Sequence, residues 1–322
     1  MCAGEWTRTK RVAVYLRDHC RRCYVQIILH KAAKWRTKWL RKHALKLVCL
    51  FPVLCCYAVG PVAVAGSPVP TNPSNVDPGT DSEPKSGLEI FAELDRRHNS
   101  NYVDFEVSLD MEILRRPNTP PKKRSLRIRQ IEAPEGDRVM VIFETPKNIR
   151  GTALLTHTYP DKIDDQWLYL PEFARVKKIA SRSKAGSFVQ SEFSYEDLTV
   201  PYVHKYDYKL LGEESVDGLL CWRIERRANF DYSGYSREEY WIDQAQYRTL
   251  QVHYFDAQGV LKKVLKLGDY QAYSDELWKP HFMHMQNVQT KRETTLVWQK
   301  YNFANGLSSD RDFSVTSLRR AR

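Results

Sequence analysis

After residue 56 this 322-residue chain has a single cysteine, Cys221. The other six, Cys2, Cys20, Cys23, Cys49, Cys55 and Cys56, fall in the front segment, so no disulfide can form within the remainder. Cys20 and Cys23 have the C-x-x-C spacing, but no second pair or histidine cluster accompanies them, and no metal site is assigned. Charge of one sign is also missing where it would matter. Residues 1–65 hold 13 Lys and Arg against Glu5 and Asp18, leaving 37 basic and 37 acidic residues after Ala65. A formally neutral remainder with no recognisable nucleic-acid module excludes nucleic acid as a partner. G-x-S-x-G, H-E-x-x-H, G-x-G-x-x-G and the P-loop are all absent. Ser181 and Lys184 fit S-x-x-K, but the companion motifs of a penicillin-recognising enzyme are not there. The chain reads as a non-enzyme, with no catalytic residue and no cofactor. No helical crossover separates its strand patterns, which argues against a parallel α/β sheet, and there is no internal repeat.

What is present begins with a basic stretch followed by an apolar run, Leu47 to Val59, and the small residues Ala63-Val64-Ala65. This is the layout of a signal peptide cleaved before Gly66. An uncleaved anchor is the alternative, opposed by Pro52, Gly60 and Pro61. Positive charge on the amino side places everything after residue 66 outside the inner membrane in either case, so the expected compartment is the periplasm. The basic region is longer than an ordinary signal peptide requires and reads as upstream sequence included in the translation, although no Met lies between Met1 and Met111. Leu54 before Cys55 does not make a lipobox. Residues 66–86, with five prolines, form a linker. The expected organisation is 1–65 basic extension and signal, 66–86 linker, and 87–322 one β-rich domain.

That domain opens on an amphipathic helix with Leu88, Phe91 and Ala92 on one stripe and Leu94 at its edge. Phe105, Val107, Leu109, Met111 and Ile113 then alternate with polar residues, the signature of a long half-buried strand. Shorter alternations recur at Leu126, Val139, Trp167, Tyr206 and Trp222, separated by turns such as Pro134-Glu135-Gly136 and Val216-Asp217-Gly218. An antiparallel sheet with one covered face is implied.

The isolated reactive residues have ordinary readings. Cys221 on a strand beside Trp222 reads as a buried, inert thiol. His281 and His284 are an odd number apart on an alternating segment, which puts them on opposite faces. Asp164, Asp165, Glu196 and Asp197 read as solvated turn carboxylates.

From Gly151 onward a run of motifs is specific. Gly151-Thr152-Ala153-Leu154-Leu155-Thr156, Asp164-Asp165-Gln166-Trp167-Leu168-Tyr169-Leu170-Pro171 and Arg175-Val176-Lys177-Lys178-Ile179 lead into Ser191-Glu192-Phe193-Ser194-Tyr195-Glu196-Asp197-Leu198. This run resembles the LolA-like outer membrane lipoprotein-sorting protein family, and the likeness covers nearly all of residues 87–322. The resemblance implies a mainly β (α+β) fold, a half-open antiparallel β-barrel wrapped around a few short helices with a hydrophobic cavity on its concave side. It also implies a periplasmic carrier of a lipid or lipoprotein client. The alternative is a non-carrying regulatory or structural partner of an RND/MMPL-type inner-membrane exporter. The true LolA carriers are smaller and lack the central motif block, so the client can be another lipid. We place Trp167, Tyr169, Phe188, Phe193 and Tyr195 on the cavity wall, because aromatics make broad apolar surfaces. Between Phe173 and Ser191 there is no acidic residue, while Arg175, Lys177, Lys178, Arg182 and Lys184 form a cationic strip suited to docking on anionic lipid or an exporter.

Overall fold

The computed structural model describes residues 85–99 and 102–321, which belong to one compact unit, Gly79–Arg322. The expected basic extension, signal peptide and all but the last two residues of the linker lie outside the described residues.

Six strands come first: β1 (Asp104–Leu114), β2 (Lys122–Ile131), β3 (Arg138–Thr145), β4 (Ala153–His157), β5 (Asp165–Leu170) and β6 (Arg175–Ile179). A second series holds β7 (Tyr206–Val216), β8 (Leu219–Ala228), β9 (Arg237–Asp243), β10 (Thr249–Phe255) and β11 (Leu261–Gly268). A small separate hairpin, β12 (Gln271–Ala272) and β13 (Trp278–Lys279), precedes β14 (Phe282–Asn287), β15 (Arg292–Trp298) and β16 (Asn302–Phe303). Every pairing among them is antiparallel, and the sheet order is β6-β5-β4-β3-β2-β1-β15-β14-β11-β10-β9-β8-β7, with β16 also on β1. Chain neighbours are therefore sheet neighbours almost throughout, as short turns between alternating strands require. The fold is a curled antiparallel sheet and not a closed barrel. Its two edges are β6 and β7, consecutive strands that do not pair. Residues 180–205, which join them, run across the concave side as a strap of short 3-10 turns.

The concave face carries the main core. Leu109, Met111, Leu126, Val141, Leu154 and Leu168 on one half meet Val252, Tyr254, Leu265, Met285 and Leu296 on the other, with Phe188 and Phe193 descending from the strap. The convex face is covered on one side only. There Met140, Ile142, Ala153 and Leu155 pack under the carboxy-terminal segment through Phe313 and Leu318, close to the short helix α2 (Ser309–Asp312). Strand β3 is consequently buried on both faces, which is why Val139-Met140-Val141-Ile142-Phe143 is continuously apolar.

Helix α1 (Gly87–His98) starts with a capping box, Ser86 accepting from the Glu89 N–H while Glu89 accepts from the Ser86 N–H. It lies on Ile224, Ile242 and Tyr247 through Ile90 and Phe91. The expected stripe is corrected here: Leu88 is 50% exposed, Ala92 is exposed, and Ile90 is fully buried. Gly87 is the reason. A Cβ there would come within 3.2 Å of the Ile224 side chain and the Leu210 backbone, so the helix touches the sheet at its first residue and presents positions 87, 90, 91, 94 and 98. Gly136 is fixed by a closer approach, since at φ +119° a Cβ would fall 2.0 Å from the Thr158 carbonyl oxygen. Among the described residues no helix is long and apolar enough to cross a membrane.

Phe313 is the test of the outer core. Its side chain is fully buried, so Phe313→Ala should lower stability by about 3–5 kcal/mol in urea unfolding. A loss below about 1 kcal/mol would mean that the carboxy-terminal segment is not packed as described.

Candidate functional site

Between the concave face, α1 and the strap lies a cavity of about 380 Å³, within the range of about 300–1,000 Å³ typical of ligand pockets. Its walls are mostly apolar. Leu109, Met111 and Leu126 line it from the first half of the sheet, Met283, Leu296 and Trp298 from the second, and Phe188, Phe193 and Val200 from the strap. The period-two alternation of β1 and β2 puts these side chains inward, and the curl of the sheet gathers them.

The strap is held down by buried polar groups. Asp197, whose side chain is 4% exposed, accepts from the Tyr235 hydroxyl at 2.8 Å and the Ser194 N–H at 2.6 Å, with Lys263 Nζ 3.5 Å away. Lys263 in turn donates to the Tyr235 oxygen at 3.0 Å. Burial and the neighbouring Asp197 hold Tyr235 protonated, so it remains a donor. Glu192 is fixed by Asn287 Nδ2 at 3.0 Å and the Arg292 guanidinium at 3.0 Å. Glu196 accepts from the Ser233 hydroxyl and the Gly234 N–H at 2.6 and 2.7 Å, and burial raises its pKa. Glu196 and Asp197 are therefore not solvated turn carboxylates. Sequence periodicity could not show this, because Lys263 and Tyr235 reach Asp197, and Ser233 and Gly234 reach Glu196, from positions distant in sequence.

One end of the cavity is polar. His98, the last residue of α1, bonds the Gln246 carbonyl through Nε2 at 3.0 Å and accepts the Trp278 N–H at Nδ1, 3.2 Å away. These partners place its single proton on Nε2. Burial lowers its pKa to about 4. Lys279 donates to the His98 carbonyl, and burial lowers its pKa to about 7. Arg248 is tied to Asp243 at 2.8 Å and lies over the Trp278 ring at 5.1 Å. Lys279 and His98 carried no motif that would have singled them out.

The expected site residues divide. Phe188 and Phe193 line the cavity. Tyr195 packs edge-on behind Phe188 at 5.7 Å and is not on the wall. Trp167 and Tyr169 belong to the outer cluster with Ile142, Leu155 and Phe313, so their placement on the wall is corrected. Alternation sends Leu168 and Leu170 inward instead. The cationic strip also loses members. Lys184 is buried and donates to the Asp164 carbonyl at 2.6 Å, and Lys178 pairs with Asp165 at 2.6 Å. Arg175, Lys177 and Arg182 stay exposed beside the β6 edge.

Cys221 is buried, with its thiol pushed up to about 11 by desolvation. His281 bonds the Tyr273 hydroxyl and the Trp298 carbonyl, while His284 meets Thr295. A second cavity of about 400 Å³ lies outside the strap, lined by Lys162, Lys184, Lys205, Phe230 and Tyr232 and sharing Thr199 and Pro201 with the first.

A family model described as an uncharacterized protein matches residues 135–320. Among solved structures, one from Vibrio parahaemolyticus assigned as an outer membrane lipoprotein-sorting protein domain is 36% identical. That match covers 73% of this chain and 98% of the other, with a TM-score of 0.70. A DUF1329 family protein from Desulfovibrio piger is 27% identical over 72% of this chain and 97% of its own, with a TM-score of 0.68. A LolA superfamily protein from Nitrosomonas europaea shares the fold at 15% identity, 72% and 99% coverage and a TM-score of 0.59. No curated protein matches the chain.

The His98 environment predicts acid sensitivity. A folded pKa of about 4 against 6.5 means that the stabilisation is fully present above pH 6.5 and is lost as pH falls through 4. The full loss is about 3 kcal/mol. Urea unfolding at pH 7 and pH 4.5 should therefore show a smaller acid loss in His98→Gln than in the wild type, and equal losses would remove His98 as the source.

Proposed function

Since the chain belongs to the LolA-like outer membrane lipoprotein-sorting protein family, we propose that it is a periplasmic carrier whose concave cavity shelters the acyl chain of a lipid or lipoprotein client. The observation that carries this reading is the apolar chamber under the strap, walled by Leu109, Met111, Leu126, Met283, Leu296 and Phe193. Each methylene moved from water into such a chamber contributes about 0.8 kcal/mol, so a chain of a dozen carbons gains on the order of 10 kcal/mol before costs. Association and ordering remove at least about 4 kcal/mol of that, which still leaves a bound chain.

The exposed cations at the β6 edge favour a second role for the same molecule, docking to an anionic membrane or to an acidic face of an RND/MMPL-type exporter. Arg175, Lys177 and Arg182 are exposed and form no ion pair among the described residues. Charges so placed act mainly on encounter rate and are screened by salt.

Two measurements test these readings. Brominated fatty acid should quench the tryptophan fluorescence of the lipid-free protein, and Trp298→Phe should remove more of that quenching than Trp167→Phe, because Trp298 lines the cavity and Trp167 does not. Equal quenching in both variants, or none in the wild type, would count against the cavity as the acyl site. For docking, Lys177→Glu combined with Arg182→Glu should slow association with anionic liposomes at low salt while leaving the thermal melt unchanged. Unaltered kinetics would return these residues to ordinary surface charge.

A further inference from the structure

The acyl cavity is not apolar to its end. Where α1 meets the β12–β13 hairpin, hydrogen-bond donors outnumber the acceptors that could use them. Lys279 is 8% exposed. Its ammonium has three N–H bonds, yet among the described residues its one hydrogen-bond acceptor is the His98 carbonyl at 2.5 Å, and it lies over the rings of Tyr102 and Phe105 at 4.6 and 5.6 Å. Among the described residues it forms no ion pair, and Asp95 acts on it electrostatically, raising its pKa. The indole Nε1 atoms of Trp278 and Trp298 are buried without a hydrogen-bond partner among the described residues, and both residues line the same cavity. A buried donor left unmade costs about 1–3 kcal/mol, more when charged, so three in residues that line one cavity need an explanation.

The other polar groups at this end do not supply one. From α1, His98 is held neutral by burial and is already bonded to the Gln246 carbonyl and the Trp278 N–H, and Asp95 accepts from Asn99 Nδ2 at 3.2 Å. Arg248 is bound to Asp243, and Tyr270 gives its proton to the Thr249 carbonyl at 2.5 Å. Tyr102 accepts from Gln130, and burial keeps both Tyr102 and Tyr301 protonated.

Resting on the carrier reading above, we propose that this end of the cavity binds the anionic headgroup of the acyl ligand, a carboxylate or phosphate oxygen, with Lys279 as its charge partner and the Trp278 and Trp298 indoles as neutral donors. The acyl-glyceryl end of a lipoprotein carries no such anion, so the ligand class is an anionic single-chain or phosphate-bearing lipid. The buried ammonium, which burial alone holds at a pKa of about 7, regains its proton affinity once an oxyanion lies against it. Binding of the anion near pH 8 is therefore coupled to proton uptake.

The experiment compares palmitate, palmitoyl lysophosphatidic acid and monopalmitoylglycerol, each titrated below its micellar concentration into lipid-free protein at pH 7. The anions should bind at least tenfold more tightly than the glycerol ester, and the better of the two identifies carboxylate or phosphate. Lys279→Met should bring anion affinity down to that of the ester and leave ester binding unchanged. Equal affinities in the wild type, or a preference that survives Lys279→Met, would overturn the headgroup site while leaving the carrier reading intact. Binding of none of the three ligands would end both. If the variant fails to fold, calorimetry of the wild type at pH 8 in buffers of different ionisation enthalpy decides: proton uptake with the anions and none with the ester is expected, and no uptake with either anion overturns the proposal.

Discussion

Strand β1 is the seam on which the rest of the structure depends. Along nearly its whole length it pairs with β2, from Asp104↔Ile131 to Ile113↔Lys122. Its other edge takes β16 at Phe105↔Phe303 and β15 from Leu109↔Trp298 to Leu114↔Glu293. Without the β1–β15 ladder, strands β1–β6 and strands β7–β15 would be two separate meanders, since every other pairing in the main sheet, apart from β11–β14 and the small β1–β16 contact, joins chain neighbours. The inward side chains of the same strand, Leu109 and Met111, floor the cavity beside Leu296 and Trp298 of its partner. Sheet closure and cavity formation are thus one event. The seam joins residues nearly two hundred positions apart, and such contacts are gained only after the loop entropy between them has been overcome.

Much of this was legible in the sequence because β1 alternates strictly: the residues that read as one buried face, Phe105 through Ile113, are all buried. The antiparallel meander followed from turn chemistry, and the half-open character from the family resemblance. Periodicity failed where it must, in choosing between two faces. It correctly paired Trp167 with Tyr169 and Leu168 with Leu170, but nothing local says which pair looks inward. The bulkier pair went outward because the carboxy-terminal segment, around Phe313 and Leu318, supplies a second core. Strand β3 carried a clue in its unbroken apolar run, which only a doubly covered strand needs. The helix stripe was misplaced by one position because the close approach at Gly87 sets the rotation, and that contact belongs to the tertiary structure.

The motif block at residues 191–198 has a physical reason that composition hides. Glu192 and Asp197 point from the strap toward the sheet and find Asn287, Arg292 and Lys263 on its strands and Tyr235 just before β9. Removing one partner of such a buried pair costs roughly 3–5 kcal/mol because the other is left uncompensated. Phe188 and Phe193 add apolar contacts between these anchors, so the strap is fixed at several points of different chemistry. Val189 and Gln190 sit between the anchors at φ 45° and 68°. Left-handed backbone at a β-branched residue is uphill by roughly 1–3 kcal/mol and persists only where its surroundings impose it.

Leaving β6 and β7 unpaired follows from the same arrangement. A closed barrel fixes its radius through strand number and stagger, and a ligand could enter only by breaking ladder hydrogen bonds or passing through an end. Here the gap is bridged by 3-10 turns and side-chain anchors, and Thr199 and Pro201 form a wall one residue layer thick between the inner cavity and the outer one. Displacing such a wall disturbs no strand pairing. The exposed edge created by this choice would otherwise invite pairing with another chain, and lysine or arginine on an edge strand opposes that. Arg175, Lys177 and Lys178 occupy the β6 edge. These three cations of the strip are thus accounted for by the open edge, and any part they have in docking is an added use of charge that the open sheet already required.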